Sequence, residues 1–518
     1  METKKRYRLF LINPKQKYIN YAAQSELSKT LGKKRFMVPL GLPMVASLTP
    51  DNYDIRIIDE EIEKIPQNDL PDVVGITTLA STILRVYEIA KWYREKGIKV
   101  ILGGPYSSFT VDDALKHADS VVIGEAEDVW ETCLRDFEKG ELKPFYKSEG
   151  KCEFKTPKFP RWDLINMKKV FQVGVQVSRG CPYRCEFCLV SNVFGNKMRY
   201  REFDNVVEEI KQLPTKKVLF IDDNLTANKK YARELMQRLK PLKISWGCMS
   251  SIEIAKDEAL LKEMVEAGCF NILIGFESLN PESLDETNKD HNKAAKIYEE
   301  AIKKIHNAGI HITASFVVGF DNDTLDEFDN ILDFTIKTGL SFVNLNILGA
   351  PPGTALFDRL TKEGRMYDSN PDFRSGLFPC MHYNKMSQID IFNKYIATLD
   401  KMFSYETIYN KAITLFGDGS FILPFNDNEA TFFFKFKSTM LILREFYFTS
   451  DPYKKKIFKL LIGYIKAKTI SIDKAASFLF SMLSYHRHIE ILKANLNEYR
   501  EIVKSYDQGS WEEMNKNK

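Results

Sequence analysis

The chain has 518 residues, 44% hydrophobic and 28% charged, the composition of an ordinary soluble protein with room for roughly two to four domains. Lysine and arginine (74) nearly balance aspartate and glutamate (70), and a net charge of +4 gives no case for nucleic acid as a partner. No apolar run reaches the roughly 18 residues of a membrane span. Met1-Glu2-Thr3-Lys4-Lys5-Arg6 leads into a strand rather than a secretory signal, so the 8 cysteines are expected in a reducing cytoplasm as thiols or ligands.

Residues 7–12 read as a buried strand, ended by Asn13-Pro14, and further strands are predicted at 54–58, 72–77, 99–102 and 120–123. Ile83, Val86, Ile89, Ala90 and Tyr93 recur at helical spacing. Strands alternating with helices predict a parallel sheet covered on both faces, a doubly wound, Rossmann-like α/β domain over residues 1–145. Ligands of such sheets sit beyond the carboxyl ends of the strands. The turns there carry Gly75, Thr77 and Thr78, then Gly103, Gly104 and Pro105, then Gly124, Glu125 and Glu127. Their glycines let backbone approach a flat or phosphorylated ligand, although each turn taken singly reads better as structural. Residues 146–170, with Pro157, Pro160 and Arg161-Trp162-Asp163, read as a linker.

A second domain is expected over 171–379. Its first strand, 171–177, runs into Ser178-Arg179-Gly180 and a loop with Cys181, Cys185 and Cys188, a C-x3-C-x2-C spacing. Three thiolates this close can hold one face of an iron–sulfur cubane, which takes four protein ligands when fully held by the chain. Three leave one iron open to a small molecule. A zinc site or structural cysteines are the other readings, but zinc wants four ligands and no second pair lies nearby. Strands at 217–221, 244–248, 271–275, 311–318 and 342–348 then alternate with helices at 204–213, 229–239, 257–267, 293–308 and 324–338. Six such strands predict a partial (β/α)6 barrel with its site at the carboxyl strand ends. Asp222, Asp223, Ser251, Glu277 and Ser278 fall at those ends, and Ser315 lies within a strand. Asp323 or Asp326 reads as a helix cap. His291, His306 and His311 read as surface or core residues, and no general base stands out.

The cysteine loop, with Phe187 before its last cysteine, resembles that of radical S-adenosylmethionine (SAM) enzymes. The resemblance implies a 4Fe–4S cluster on Cys181, Cys185 and Cys188, with SAM on the open iron and reductive cleavage to a 5′-deoxyadenosyl radical. It implies that Phe187 meets the adenine, Asp222 or Asp223 the SAM amino group, and Ser251, Glu277, Ser278 and Ser315 the rest of the ligand. Here Ile221-Asp222-Asp223-Asn224 replaces the family's glycine-rich Gly-Gly-Glu form. The turns of residues 1–145 resemble those of the cobalamin-binding domain found in front of many radical SAM enzymes, which implies cobalamin as a second cofactor. The Asp-x-His-x-x-Gly motif that supplies a cobalt ligand elsewhere is absent. His117 does not match it and reads as a helix-surface residue, so no histidine is expected on the lower face of the cobalt.

After Pro379-Cys380 the pattern is helical only, an expected domain over 380–518 with helices at 388–404, 428–447, 453–466, 471–485 and 487–505. It is rich in phenylalanine (432–434, 436, 446, 448, 478 and 480) and carries Lys454-Lys455-Lys456. Either its aromatics pack onto the barrel as a cap, or they form an apolar pocket or a peripheral membrane-surface face. Residues 344–365 resemble the subgroup with a helical extension that includes the hopanoid C-methylases. That resemblance implies a C-methyltransferase acting on an unactivated carbon of a lipid-like substrate, supplied with electrons by a protein such as flavodoxin or ferredoxin. Cyclisation, ring contraction, oxidation or carbon–carbon coupling without methyl transfer is the alternative, and a cobalamin- or redox-sensing module is a third.

Overall fold

The computed structural model describes residues 5–18, 22–150, 152, 158–286, 295–367, 376–417 and 439–505. Pro157, His291 and the phenylalanines at 432–434 and 436 lie outside these residues. The chain forms two units, residues 1–19 with 33–214 and 349–380, and residues 20–32 with 215–348 and 381–518.

In the first unit, apolar runs of strand length make β1 (Tyr7–Asn13), β2 (Arg35–Met37), β3 (Tyr53–Asp59), β4 (Val73–Thr77), β5 (Lys99–Gly103), β6 (Ser120–Ile123) and β7 (Phe145–Lys147). All but β2 join one parallel sheet in the order β3-β1-β4-β5-β6-β7. Successive side chains point to opposite faces. Leu9 and Leu11 therefore pack with Trp130, Cys133 and Leu134 of the helix Trp130–Lys139. Phe10 and Ile12 pack with Ile83, Val86, Ile89, Ala90 and Tyr93 of the helix Ile83–Arg94. This is the expected doubly wound sheet, with both faces buried.

The same unit contains β8 (Val170–Val175), β9 (Ser178–Arg179) and β10 (Arg199–Tyr200). The short β2, not foreseen from the sequence, pairs in parallel with β8, and Phe36 stacks on Phe171 at 5.4 Å. β9 and β10 pair antiparallel around the cysteine loop.

The second unit carries β11 (Lys217–Phe220), β12 (Ser245–Ser250), β13 (Cys269–Glu277), β14 (His311–Val318) and β15 (Phe342–Ile347), parallel neighbours in sequence order. Helices Lys229–Leu239, Glu258–Glu266, Ala295–Asn307 and Asp326–Thr338 connect them, as half-barrel repeats require. On one sheet face Phe276 and Phe316 stack at 5.3 Å and meet Phe334 of a covering helix. The opposite face, with Asn271, Gly275, Thr313, Ser315 and Asn344, is only half-buried.

Among the described residues the tail is helical as expected, with two differences, and residues 428–438 of the helix expected at 428–447 lie outside the described residues. A helix at Tyr405–Phe416 was not foreseen; Ser404 caps it by accepting from Thr407 N. The last two expected helices divide at Asn495 rather than at 486, giving Ile472–Ala494 and Leu496–Ser505. Arg487 on the longer one donates to Thr30 at 3.2 Å.

Candidate functional site

The cysteine loop begins where Gly180 takes a φ of +92°. A Cβ there would lie 2.9 Å from the carbonyl oxygens of both Gly195 and Lys197, so only glycine fits the turn. Cys181 N donates to Gly195 O at 3.4 Å and Cys188 N to Cys185 O at 3.1 Å. Cys181, Cys185, Cys188 and Phe187 are all half-buried, and none of the three cysteines is in a disulfide.

A distant segment braces this loop. Glu186 accepts from Leu356 N at 3.0 Å through its carbonyl and from Arg359 Nε at 2.7 Å through its carboxylate. Asn192 donates to Gly353 O, and the Phe109 ring fills the space where a Gly353 Cβ would project. Three thiols on one braced, half-buried loop are a donor set that fits a cluster needing three protein ligands.

The loop is also tied to the doubly wound sheet. Glu125, 5% exposed, accepts from Arg179 Nη1 at 3.0 Å and from Arg199 Nη1 at 2.9 Å. Glu127 pairs with Arg179 Nη2 at 2.5 Å. Arg199 also donates to the carbonyls of Cys152 and Phe194. Burial alone would lower the Arg179 pKa, but Glu127 and Glu125 hold it above its ordinary value. Burial chiefly, and then Glu127, push the nearby Cys152 thiol up to about 11, so it stays protonated at neutral pH. Sequence reasoning singled out Glu125 and Glu127 but missed Arg179 and Arg199; the arginine directly before Gly180-Cys181 was the available signal.

The remaining turns of this sheet knit together. Thr78, fully buried, donates from N to Gly103 O at 2.8 Å and accepts from Ser107 N at 3.1 Å. Gly104 has a φ of +116°, and a Cβ there would lie 2.8 Å from Thr78 O. Gly124 N donates to Ser108 Oγ at 3.0 Å. Gly75 is buried inside the sheet, whereas Thr77, Gly103, Gly104 and Pro105 are half-buried and Gly124 is exposed. An open, glycine-rich rim at carboxyl strand ends fits a broad, flat cofactor such as cobalamin. His117 stacks on Tyr87 with ring centroids 3.7 Å apart at the end of the helix Val111–His117, away from these turns, as a structural residue does.

In the second unit Asp222 is fully buried and Asp223 half-buried just after β11. The buried Cys248 thiol has its pKa raised by a hydrogen bond with Cys269, by burial and, least, by the charge of Asp222. Ser251 is half-buried; its neighbour Ser250 instead bonds Thr226 Oγ1, in the turn after β11, at 2.5 Å. Ser315 aligns with Gly275 on β13 and Asn344 on β15. Glu277 and Ser278 end β13, both buried, and Glu277 has a φ of +64° where the register slips between Gly275 and Glu277. A buried, non-glycine residue held in that region stores backbone strain and points to a functional constraint. Asp323 does not cap a helix: it accepts from Gly319 N, Phe320 N and Ser283 Oγ and shapes the turn after β14, while the following helix, Asp326–Thr338, has Leu325 at its N-cap and no side-chain cap.

The family model of the radical SAM superfamily matches residues 175–335, and that of the B12-binding domain residues 34–134. Over 380 residues the chain is 31% identical to a bacteriochlorophyllide d C-12(1)-methyltransferase of Chlorobaculum tepidum, covering 71% of this chain and 81% of the relative. It is 27% identical to a hopanoid C-2 methylase of Rhodopseudomonas palustris, covering 65% and 68%. In fold it is similar to the cobalamin-dependent SAM radical enzyme OxsB, with a TM-score of 0.58, 14% identity and coverage of 97% and 84%. The chain belongs to the radical SAM enzymes that carry a B12-binding domain, whose cofactors are a 4Fe–4S cluster, SAM and cobalamin.

Proposed function

We propose that the protein is a cytoplasmic C-methyltransferase that places a methyl group on an unactivated carbon of a hydrophobic, lipid-like substrate. The observation that carries this reading is the joining of the three-thiol loop to the Glu125–Glu127 turn of the B12-binding fold through Arg179 and Arg199. When bound, the cluster and SAM supply hydrogen-atom abstraction, and cobalamin supplies the methyl group.

The chain's own residues position these groups. Cys181, Cys185 and Cys188 hold the cluster, and Phe187 offers backbone to the adenine. Asp222 or Asp223 accepts hydrogen bonds from the SAM ammonium, as a carboxylate does; Ser251, Glu277 and Ser278 meet its carboxylate and ribose, and Ser315 faces the cavity. Gly75, Thr77, Thr78, Gly103, Gly104, Pro105, Gly124, Glu125 and Glu127 form or support the cobalamin rim. The domains run over 1–145, 171–379 and 380–518 with a linker at 146–170, and electrons come from flavodoxin or ferredoxin.

The lipid-like substrate is supported by the similarity to the hopanoid C-2 methylase. Phe446 and Phe478 are buried in a core formed largely by the tail helices, and Phe480 is buried as well. The test is a comparison of lipid extracts from cells with and without the protein, where a lipid heavier by one methylene should appear only with it. A changed small polar metabolite and unchanged lipids would overturn the substrate class.

A further inference from the structure

The helix Pro452–Lys466 turns one face to solvent, and that face is made of lysine. Its exposed positions are Pro452, Lys455, Lys456, Lys459, Gly463 and Lys466. At 3.6 residues per turn they share an arc of about 100°, with the buried Ile457 and Leu461 opposite. No aspartate or glutamate occurs between Asp451 and Asp473. Lys455, Lys459, Lys466 and the exposed Lys468 make no ion pair among the described residues, in contrast to Lys454, which pairs with Glu445 at 3.6 Å.

Two aromatic rings stand uncovered directly before this helix. Tyr447 is 53% and Phe448 73% exposed, the latter the most exposed large apolar side chain among the described residues. They meet edge to face at 4.8 Å, and Tyr447 rests on Phe458 of the helix at 5.6 Å. The pair is thus fixed to the lysine helix rather than to a free tail. Exposed aromatics beside unpaired lysines on a surface helix are the two components of binding to an anionic bilayer: rings enter the interface, and ammonium groups meet lipid phosphates. No helix among the described residues is long and apolar enough to cross a membrane, so the contact is peripheral.

We propose that Tyr447, Phe448 and the Lys455–Lys459–Lys466 face dock the protein on an anionic phospholipid surface. An acidic protein partner would use the lysines but leaves two uncovered rings without a role, so the bilayer accounts for more of the surface. The proposal deepens the lipid-like-substrate reading and rests on it for its purpose, while vesicle binding is read without turnover and the two fail separately.

The test is sedimentation of the full chain with vesicles of phosphatidylcholine alone or mixed with phosphatidylglycerol. The chain should bind the mixed vesicles only, and less at high salt. The triple variant Lys455→Glu, Lys459→Glu, Lys466→Glu and the double variant Tyr447→Ser, Phe448→Ser should each weaken binding about tenfold or more. Both should keep wild-type circular dichroism and SAM cleavage. Absence of binding to anionic vesicles, equal binding by the variants, or lysine-dependent binding to flavodoxin in place of vesicles would overturn the proposal.

Discussion

Glu125, in the turn after β6, lies 3.0 Å from the guanidinium of Arg179, two residues before Cys181. Both side chains are at least nine-tenths buried, and Arg199 shares the same carboxylate. Removing one member of a buried ion pair leaves an uncompensated charge and costs about 3–5 kcal/mol. Glu125→Ala should therefore lower Tm markedly, and reconstituted protein should hold less iron per chain than wild type. Unchanged iron content together with a lowered Tm would show that the ion pair supports the fold without setting the loop.

The cysteine loop and the B12-binding turns are distinct sets of residues. Cys185→Ala should lose SAM cleavage, measured as 5′-deoxyadenosine release, while keeping cobalamin, measured by its absorption after gel filtration. Loss of both together would mean that the loop supports the fold as a whole.

Glu277 joins a strained backbone to a carboxylate in a candidate SAM contact. A left-handed conformation in a non-glycine residue costs of order 1–3 kcal/mol, which glycine relieves. Glu277→Gly should keep or raise Tm yet weaken SAM binding to the cluster-loaded enzyme, read by calorimetry. Wild-type SAM affinity in this variant would remove Glu277 from the site.

Lys411, 1% exposed in the unforeseen helix Tyr405–Phe416, has no hydrogen-bond partner among the described residues, and its ammonium lies 5.6 Å from the Phe403 ring centroid. Burial pushes its pKa from 10.5 down to about 7. The folded chain thus binds this proton less tightly than the unfolded chain does. The contribution of this group to stability is complete above the unfolded value of 10.5 and is lost as pH falls towards 7, by about 1.4 kcal/mol per pH unit. Lys411→Met should raise Tm most at pH 7 and progressively less towards pH 10. A gain that does not vary with pH would contradict a neutral, desolvated amine.

Features carried by local pattern were legible in the sequence. The strands and helices of both α/β regions follow from apolar periodicity, and the three cysteines announce themselves by spacing alone. Features that depend on distant partners were not. Arg35-Phe36-Met37 is too short to read as a strand until β8 is beside it. Arg179 and Glu125 are 54 residues apart, and neither signals the other. Arg359, 173 residues from Glu186, gives no local hint that it braces the cysteine loop. The helix division at Asn495 escaped because residues 486–494 contain no breaker.

The central claim is methyl transfer by a radical route, and the most direct measurement uses SAM labelled with deuterium in its methyl group. Reconstituted enzyme, with cluster, cobalamin, reductant and a lipid extract from cells lacking the protein, should yield a lipid carrying one trideuterated methyl group and one 5′-deoxyadenosine for each product formed. Release of 5′-deoxyadenosine with a product whose mass is unchanged or lowered would contradict the claim and assign the protein to radical chemistry without methyl transfer.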